Sequence, residues 1–149
     1  FGSRDPITDQ QVARLLEDNP DVQIVDALNG RFDLPAESTL PSVVHCTGDM
    51  VEEPARIAAR FAGHVAAAVN YLRPSTLIMG GGDTALAILG ALGADVLFPQ
   101  GEVAPGLPWF TVTADHGEGM RCVVKSGGFG TVAVLSDLLK PTGEQAEFR

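Results

Sequence analysis

An α/β domain is the fold this sequence predicts: a mostly parallel sheet with helices on both faces, closed by a C-terminal β-hairpin. Three observations predict it. Short apolar runs alternate with stretches whose apolar residues recur every three or four positions, the pattern of strands crossed over by helices. Two of those runs empty into glycine clusters, at Gly80-Gly81-Gly82 and Gly127-Gly128. The final third changes to alternating strands around a polar tip, the pattern of a hairpin.

Taken in order, Gly2-Ser3-Arg4-Asp5-Pro6-Ile7-Thr8 reads as the end of a strand followed by a turn, with Thr8 placed to cap a helix. Val12, Leu15 and Leu16 give helical spacing over Asp9 to Glu17, and Asn19-Pro20 stops it. Val22 to Val25 is a strand. Asn29-Gly30 turns the chain into a Pro-rich polar loop from Asp33 to Ser42, and Ser42 to Thr47 is the next apolar strand. Pro54 then opens a long helix marked by Ile57, Phe61, Val65, Val69 and Leu72, ending near Arg73-Pro74. Thr76 to Met79 is the expected central strand, delivering the three glycines to a helix over Asp83 to Leu92. Ala94 to Phe98 reads as a short strand, and Pro99 to Pro108 as a loop too turn-rich for regular structure. Trp109 to Ala114 and Met120 to Lys125 form the hairpin around Asp115-His116-Gly117-Glu118-Gly119. A last helix spans Thr131 to Leu139, and the polar residues 141–149 form a tail. One domain over residues 1–140 follows, without internal repeats.

Composition narrows the function. Net charge −9 and a pI near 4.6 give a field that repels nucleic acid and anionic membrane, so neither is an expected partner. The hydrophobic share of 45 % against 19 % charged residues is that of a buried core, not of a disordered chain. Cys46 and Cys122 form no CxxC pair and read as buried free thiols. No run approaches a membrane span and no signal peptide opens the chain, so a cytoplasmic location is the default. The chain opens at Phe1 without an initiator methionine, which suggests a piece of something longer.

The stretch Leu77 to Thr84 carries the chemistry. A strand that delivers a glycine turn to a helix start presents free backbone N–H groups at the positive end of the helix dipole, a setting for phosphate. A plain structural turn would look the same. The second glycine turn, Ser126-Gly127-Gly128, shifts the balance, because turns at the carboxyl ends of parallel strands converge on the edge where ligands bind. Asp83 is either a helix cap or, with phosphate on the turn, a carboxylate that must face Mg²⁺ or ribose hydroxyls. Thr84 adds a neutral hydroxyl. Lys125 is either a phosphate partner or a surface lysine with a buried stem. Trp109 stacks on a base or fills the core; Ser3 bonds a phosphate or closes a turn. His45, His64 and His116 have no companions at metal-ligand spacing and read as structural or solvated, and no Walker P-loop is present.

Three stretches in order, Gly80-Gly81-Gly82-Asp83-Thr84, Val103 to Trp109 and Lys125 to Gly130, resemble the GGET, APGVPW and KSGNFG motifs of the C-terminal, nucleotide-binding domain of four-carbon acid sugar kinases (DUF1537). Gly2 to Thr8 is similar to the GS-x-S-P-x-T segment that opens that domain. The resemblance implies phosphorylation of acids such as threonate, erythronate or 3-oxo-tetronate with ATP and Mg²⁺. It places Ser3, Gly81, Gly82, Asp83, Thr84 and Gly127 at the nucleotide, with Lys125 and Gly128 of the same second turn added as candidate contacts, and the sugar acid on a preceding domain not contained in this chain. By itself the chain is then expected to bind ATP or ADP weakly and transfer nothing. Asp83 stands where the motif has Glu, and Gly128 where it has Asn. Those departures leave room for a non-catalytic interaction or regulatory module, and the glycine turns alone also suit a sugar-phosphate enzyme of another class. Self-association into a homo-oligomer stays open.

Overall fold

The computed structural model of the chain describes residues 1–2, 5–49, 51–114 and 117–140. Ser3, His116, the tip residue Asp115 and the tail from residue 141 lie outside the described residues. Within them the order is α1 (Pro6–Asp18), β1 (Gln23–Leu28), β2 (Ser42–Thr47), α2 (Pro54–Leu72), β3 (Thr76–Gly80), α3 (Gly82–Ala91), β4 (Val96–Ala104), β5 (Leu107–Ala114), β6 (Gly117–Lys125) and α4 (Val134–Leu139).

The strands form a parallel pair, β1-β2, and a four-stranded sheet in the order β3-β6-β5-β4. In the larger sheet β3 and β6 run parallel, while β6-β5 and β5-β4 are antiparallel. The fold is thus α/β, but the mostly parallel sheet holds only in part: the parallel pairs lie at β1-β2 and β3-β6, and the rest is a meander. β3 lies at an edge of its sheet and not at the centre, because β6 returns between it and β5.

Helices cover both faces. On one, Phe61, Val65 and Val69 of α2 and Ile88 and Leu89 of α3 pack with Met79, Phe110 and Cys122. On the other, Val12 and Leu15 of α1 and Val134 and Leu135 of α4 pack with Val43, Leu107 and Val123. Cys122 and Val123, consecutive in one strand, point to opposite cores, the period-two alternation of a strand buried on both sides. Both cysteines are buried and free, and burial pushes the Cys122 thiol up to about 11.

Local chemistry sets the ends of the elements. Pro54 takes the first position of α2, and Arg73 closes it in the left-handed conformation (φ 48°) ahead of Pro74. Asn29 (φ 49°) and Gly30 (φ 81°) make the tight turn that brings Arg31 back to Leu28. Arg60 of α2 holds that turn, donating twice to Asn29 O (3.1 and 2.8 Å) and pairing with both carboxylate oxygens of Glu52 (3.2 and 2.9 Å).

Two expectations are corrected here. The stretch Pro99 to Pro108 is no irregular loop: it supplies most of β4 and the start of β5, with only Pro105-Gly106 turning between them. Pro99 is tolerated because β4 is an edge strand, and register shifts between Pro99 and Gly101 and between Glu102 and Ala104 absorb the irregular residues. The last helix is shorter than expected, starting at Val134 in place of Thr131. The hairpin β5-β6 forms as expected.

The first residues occupy an unusual place. The Phe1 ammonium donates to Val44 O, Cys46 N donates to Phe1 O (2.9 Å), and Gly2 N donates to Gly80 O (3.4 Å). Phe1-Gly2 therefore bridges β2 and β3, joining the two sheets at one end.

Candidate functional site

Two glycine turns leave the same sheet edge side by side. β3 ends at Gly80, whose partner on β6 is Lys125, and Gly81 N donates to Lys125 O (2.9 Å). Gly81, at φ 92°, adopts a conformation that side chains strain against, and it caps α3 without any side-chain bond. The first intrahelical donor is Ala85 N, to Gly81 O (2.9 Å). The N–H groups of Gly82, Asp83 and Thr84 precede it, at the positive end of the helix dipole.

Asp83 is exposed and sits at the second helical position, so it is not the cap; glycine holds that place. Thr84 is buried beneath the amino-terminal segment. A Cβ on Gly2 would lie 2.5 Å from Thr84 Oγ1, and one on Gly80 would lie 2.2 Å from the Phe1 ring. Both positions need glycine for the first residues to cross this edge.

The second turn is built around Lys125, which is fully buried. Its ammonium donates to Gly127 O and to Thr8 Oγ1 (3.2 Å), while Thr8 Oγ1 donates to Gly127 O (3.4 Å). Burial lowers the Lys125 pKa and the charge of Asp5 acts against that shift. The lysine is accordingly no surface residue with a buried stem: its head is inside as well. Thr8 does not cap α1. Asp5 does, its Oδ1 accepting from Ile7 N (2.8 Å), and Pro6 takes the first helical position.

The same α1 residues wall the second turn. A Cβ on Gly127 would lie 3.4 Å from Asp5 Oδ2, and one on Gly128 would lie 3.0 Å from Ile7 Cδ1. One turn further along the helix, fully buried Gln11 donates through Nε2 to the carbonyls of Phe129 (3.1 Å), Gly130 (3.3 Å) and Thr131 (2.9 Å). Phe129 in turn covers Gly106, where a Cβ would lie 2.6 Å from its ring. The Pro105-Gly106 turn is thereby tied to the Lys125 to Gly130 segment.

The structure brings Gly81, Gly82, Asp83, Thr84, Lys125, Gly127 and Gly128 to one edge. Ser3 lies outside the described residues. Trp109 is half-buried and packs against the core cluster of α1 and α4. His45 Nε2 pairs with Asp9 Oδ1 (3.2 Å), and the His64 ring lies 5.6 Å from that of Phe32. Asp5 and Gln11 were missed by the sequence reading. Asp5 carried a readable signal, an acidic residue directly before a proline at a helix start; Gln11 carried none.

An α/β domain that presents two glycine turns and a helix start without a side-chain cap on one sheet edge has the geometry in which many α/β folds receive phosphate groups. The chain belongs, more narrowly, to the family described as the nucleotide-binding C-terminal domain, which matches residues 42–135; this is the C-terminal domain of the four-carbon acid sugar kinase family. A D-threonate kinase of Salmonella typhimurium is 38 % identical over 71 residues, 48 % of this chain and 17 % of that protein. A domain of unknown function (DUF1537) from Bordetella bronchiseptica, solved with bound citrate as a domain-swapped dimer, superposes with a TM-score of 0.74 at 25 % identity, covering 90 % of this chain and 36 % of that one. A Haemophilus influenzae protein of the DUF1537 family shares the fold, with a TM-score of 0.62 at 16 % identity over 93 % of this chain and 39 % of its own. The chain thus spans well under half of each relative. No helix among the described residues is long and apolar enough to cross a membrane.

Proposed function

We propose that residues 1–140 are the ATP-binding domain of a four-carbon acid sugar kinase, acting with a substrate-binding domain carried elsewhere in the polypeptide. The observation that supports this best is the Gly81 N to Lys125 O bond, which sets two glycine turns next to each other at the start of α3 in a chain of the nucleotide-binding family. Backbone N–H groups of Gly82, Asp83 and Thr84 would receive phosphate oxygens, and Gly127 and Gly128 would let the other end of the nucleotide approach the backbone closely. Ser3, outside the described residues, is a further nucleotide contact that the motif at residues 2–8 implies.

The charges fit a metal-complexed nucleotide better than a bare one. Asp83 is exposed beside the helix start and Asp5 lies beside the second turn, so free phosphate would meet two carboxylates. Among the described residues no group of three or more His, Cys, Asp or Glu could hold a metal by itself. Mg²⁺ would therefore enter as MgATP, keeping phosphate and water oxygens as ligands, with Asp83 facing it or the ribose. Lys125 is a positioning residue whose ammonium holds Gly127 O.

In the assembled protein the bond from the γ-phosphorus to the bridging oxygen of ADP breaks as a hydroxyl oxygen of threonate, erythronate or 3-oxo-tetronate bonds to that phosphorus. The hydroxyl proton passes to a base on the substrate domain, and the amide-lined edge offsets charge on the phosphates. A homodimer in the cytoplasm is the setting we propose. Isothermal titration of this chain with MgATP tests the reading. Saturable heat, with a dissociation constant in the micromolar to millimolar range, is expected; no heat at millimolar MgATP removes it.

A further inference from the structure

Between β2 and β3 the sheet layer is interrupted by a cavity of about 550 Å³. Its two long sides are the edges of those strands, Ser42 to Val44 and Thr76 to Gly80. Its floor and roof are apolar, with Leu15 and Leu135 contributed by the α1/α4 layer and Phe61 and Val65 by α2. Phe1 stands at one end.

The hydrogen-bond parity of both edges is fixed by the bonds already described. Arg121 N to Ser75 O and Gly81 N to Lys125 O send the odd-numbered residues of β3 toward β6, so Thr76, Ile78 and Gly80 direct their backbone groups into the cavity. Asn29 N to Thr47 O likewise turns the odd-numbered residues of β2 toward β1, leaving Ser42, Val44 and Cys46 facing the cavity. Phe1 and Gly2 engage both edges in parallel register, using Val44 O, Cys46 N and Gly80 O. Beyond them, among the described residues, no strand pairs with either of these two edges.

We infer that this slot takes one extended apolar strand, parallel to β2 and β3 and joined through a peptide bond to the nitrogen of Phe1. Its register follows from the parity. The first residue before Phe1 would accept from Gly80 N, the second would donate to Ser42 O and accept from Val44 N, and the third would accept from Ile78 N. Helix layers on both faces require apolar side chains at successive positions, as in a strand buried on both sides. The covalent link follows from charge. A separate strand ending here would set its carboxylate against the Phe1 ammonium in a buried, apolar place, where desolvation of both ions is costly. Burial already pushes the Phe1 amine down to about 6, whereas a peptide N–H would satisfy Val44 O without any charge. With the strand in place the two sheets become one continuous sheet.

The test compares the full chain as it stands with three extended versions, read by amide hydrogen exchange. One carries five Val/Leu-rich residues before Phe1, one the same number of Gly/Ser residues, and one the apolar sequence with proline second before Phe1. The apolar extension should slow exchange at Val44, Ile78 and Gly80 by tenfold or more, and the other two should not. Equal protection by all three, or by none, overturns the inference. Equal protection by the apolar peptide added separately overturns the covalent source. Precipitation caused only by the apolar extension also counts against it, since a strand accommodated in the slot leaves no new apolar surface exposed.

Discussion

Asp83 separates binding from folding more cleanly than any other side chain at the site. It is exposed, makes no cap bond, and lies in the first turn of α3, where a carboxylate adds only a small dipole contribution. Asp83→Ala should change unfolding free energy by no more than about 0.5 kcal/mol, while weakening MgATP binding about tenfold; urea melts and titration calorimetry on the same preparation check both halves. Lys125 behaves in the opposite way. Lys125→Met keeps the buried volume but removes the donor to Thr8 Oγ1 and leaves Gly127 O with only the longer bond from Thr8, so a stability loss of about 1 to 3 kcal/mol should accompany the binding defect. The glycines of both turns were legible in the sequence because glycine is itself the signal for φ > 0 and close approach. The burial of Lys125 was not, since its partners Thr8 and Asp5 are far away in the chain. Gly30 was legible as a turn residue but not as a contact: a Cβ there would lie 2.7 Å from Ile57 O, a backbone atom. Gly30→Ala should therefore destabilise by about 1 to 3 kcal/mol in a denaturant titration.

At the scale of elements, helical periodicity identified α1 and α2 and an apolar run identified β2, because each has a clear stop. β4 escaped it. Its residues from Val96 to Gly101 are exposed, so no buried face imposes alternation, and Pro99 and Gly101 give a loop-like composition to a strand held by pairing with β5. Tertiary pairing overrode local preference there. The Lys125 to Gly130 segment depends on α1 in a manner that Gln11 makes measurable. Gln11→Leu preserves helix and bulk but deletes the donor to three carbonyls, and should cost about 1 to 3 kcal/mol. Faster amide exchange at Phe129 and Gly130, with α2 unchanged, would show that the loss is confined to this turn.

For the whole molecule, a free amine at Phe1 couples stability to pH, and a chain extended through a peptide bond at that nitrogen lacks the coupling. The Phe1 amine has a folded pKa of about 6 against 8.0 when free, so between those values the unfolded chain binds more protons. Stability should rise from pH 6 to pH 8 by about 2 to 3 kcal/mol, by the pKa difference, and level off on either side. Urea unfolding across that range measures the rise, and acetylation of the amine should abolish it. The α/β class and the helices on both faces were readable from the alternation of strands and helices. The antiparallel part of the sheet was not, because strand order is set by which edges meet and not by any one segment.

The bonds that bind the second turn to α1 join residues 117 to 120 positions apart. Contacts of such separation bear the largest loop-closure entropy and form late. During synthesis, α1 emerges first and must wait for almost the whole domain before Lys125 and Gly127 arrive to meet it. The edge proposed to hold nucleotide is therefore completed late, and a chain halted before the end of β6 would lack the second turn. Competence to bind becomes a report that folding is complete.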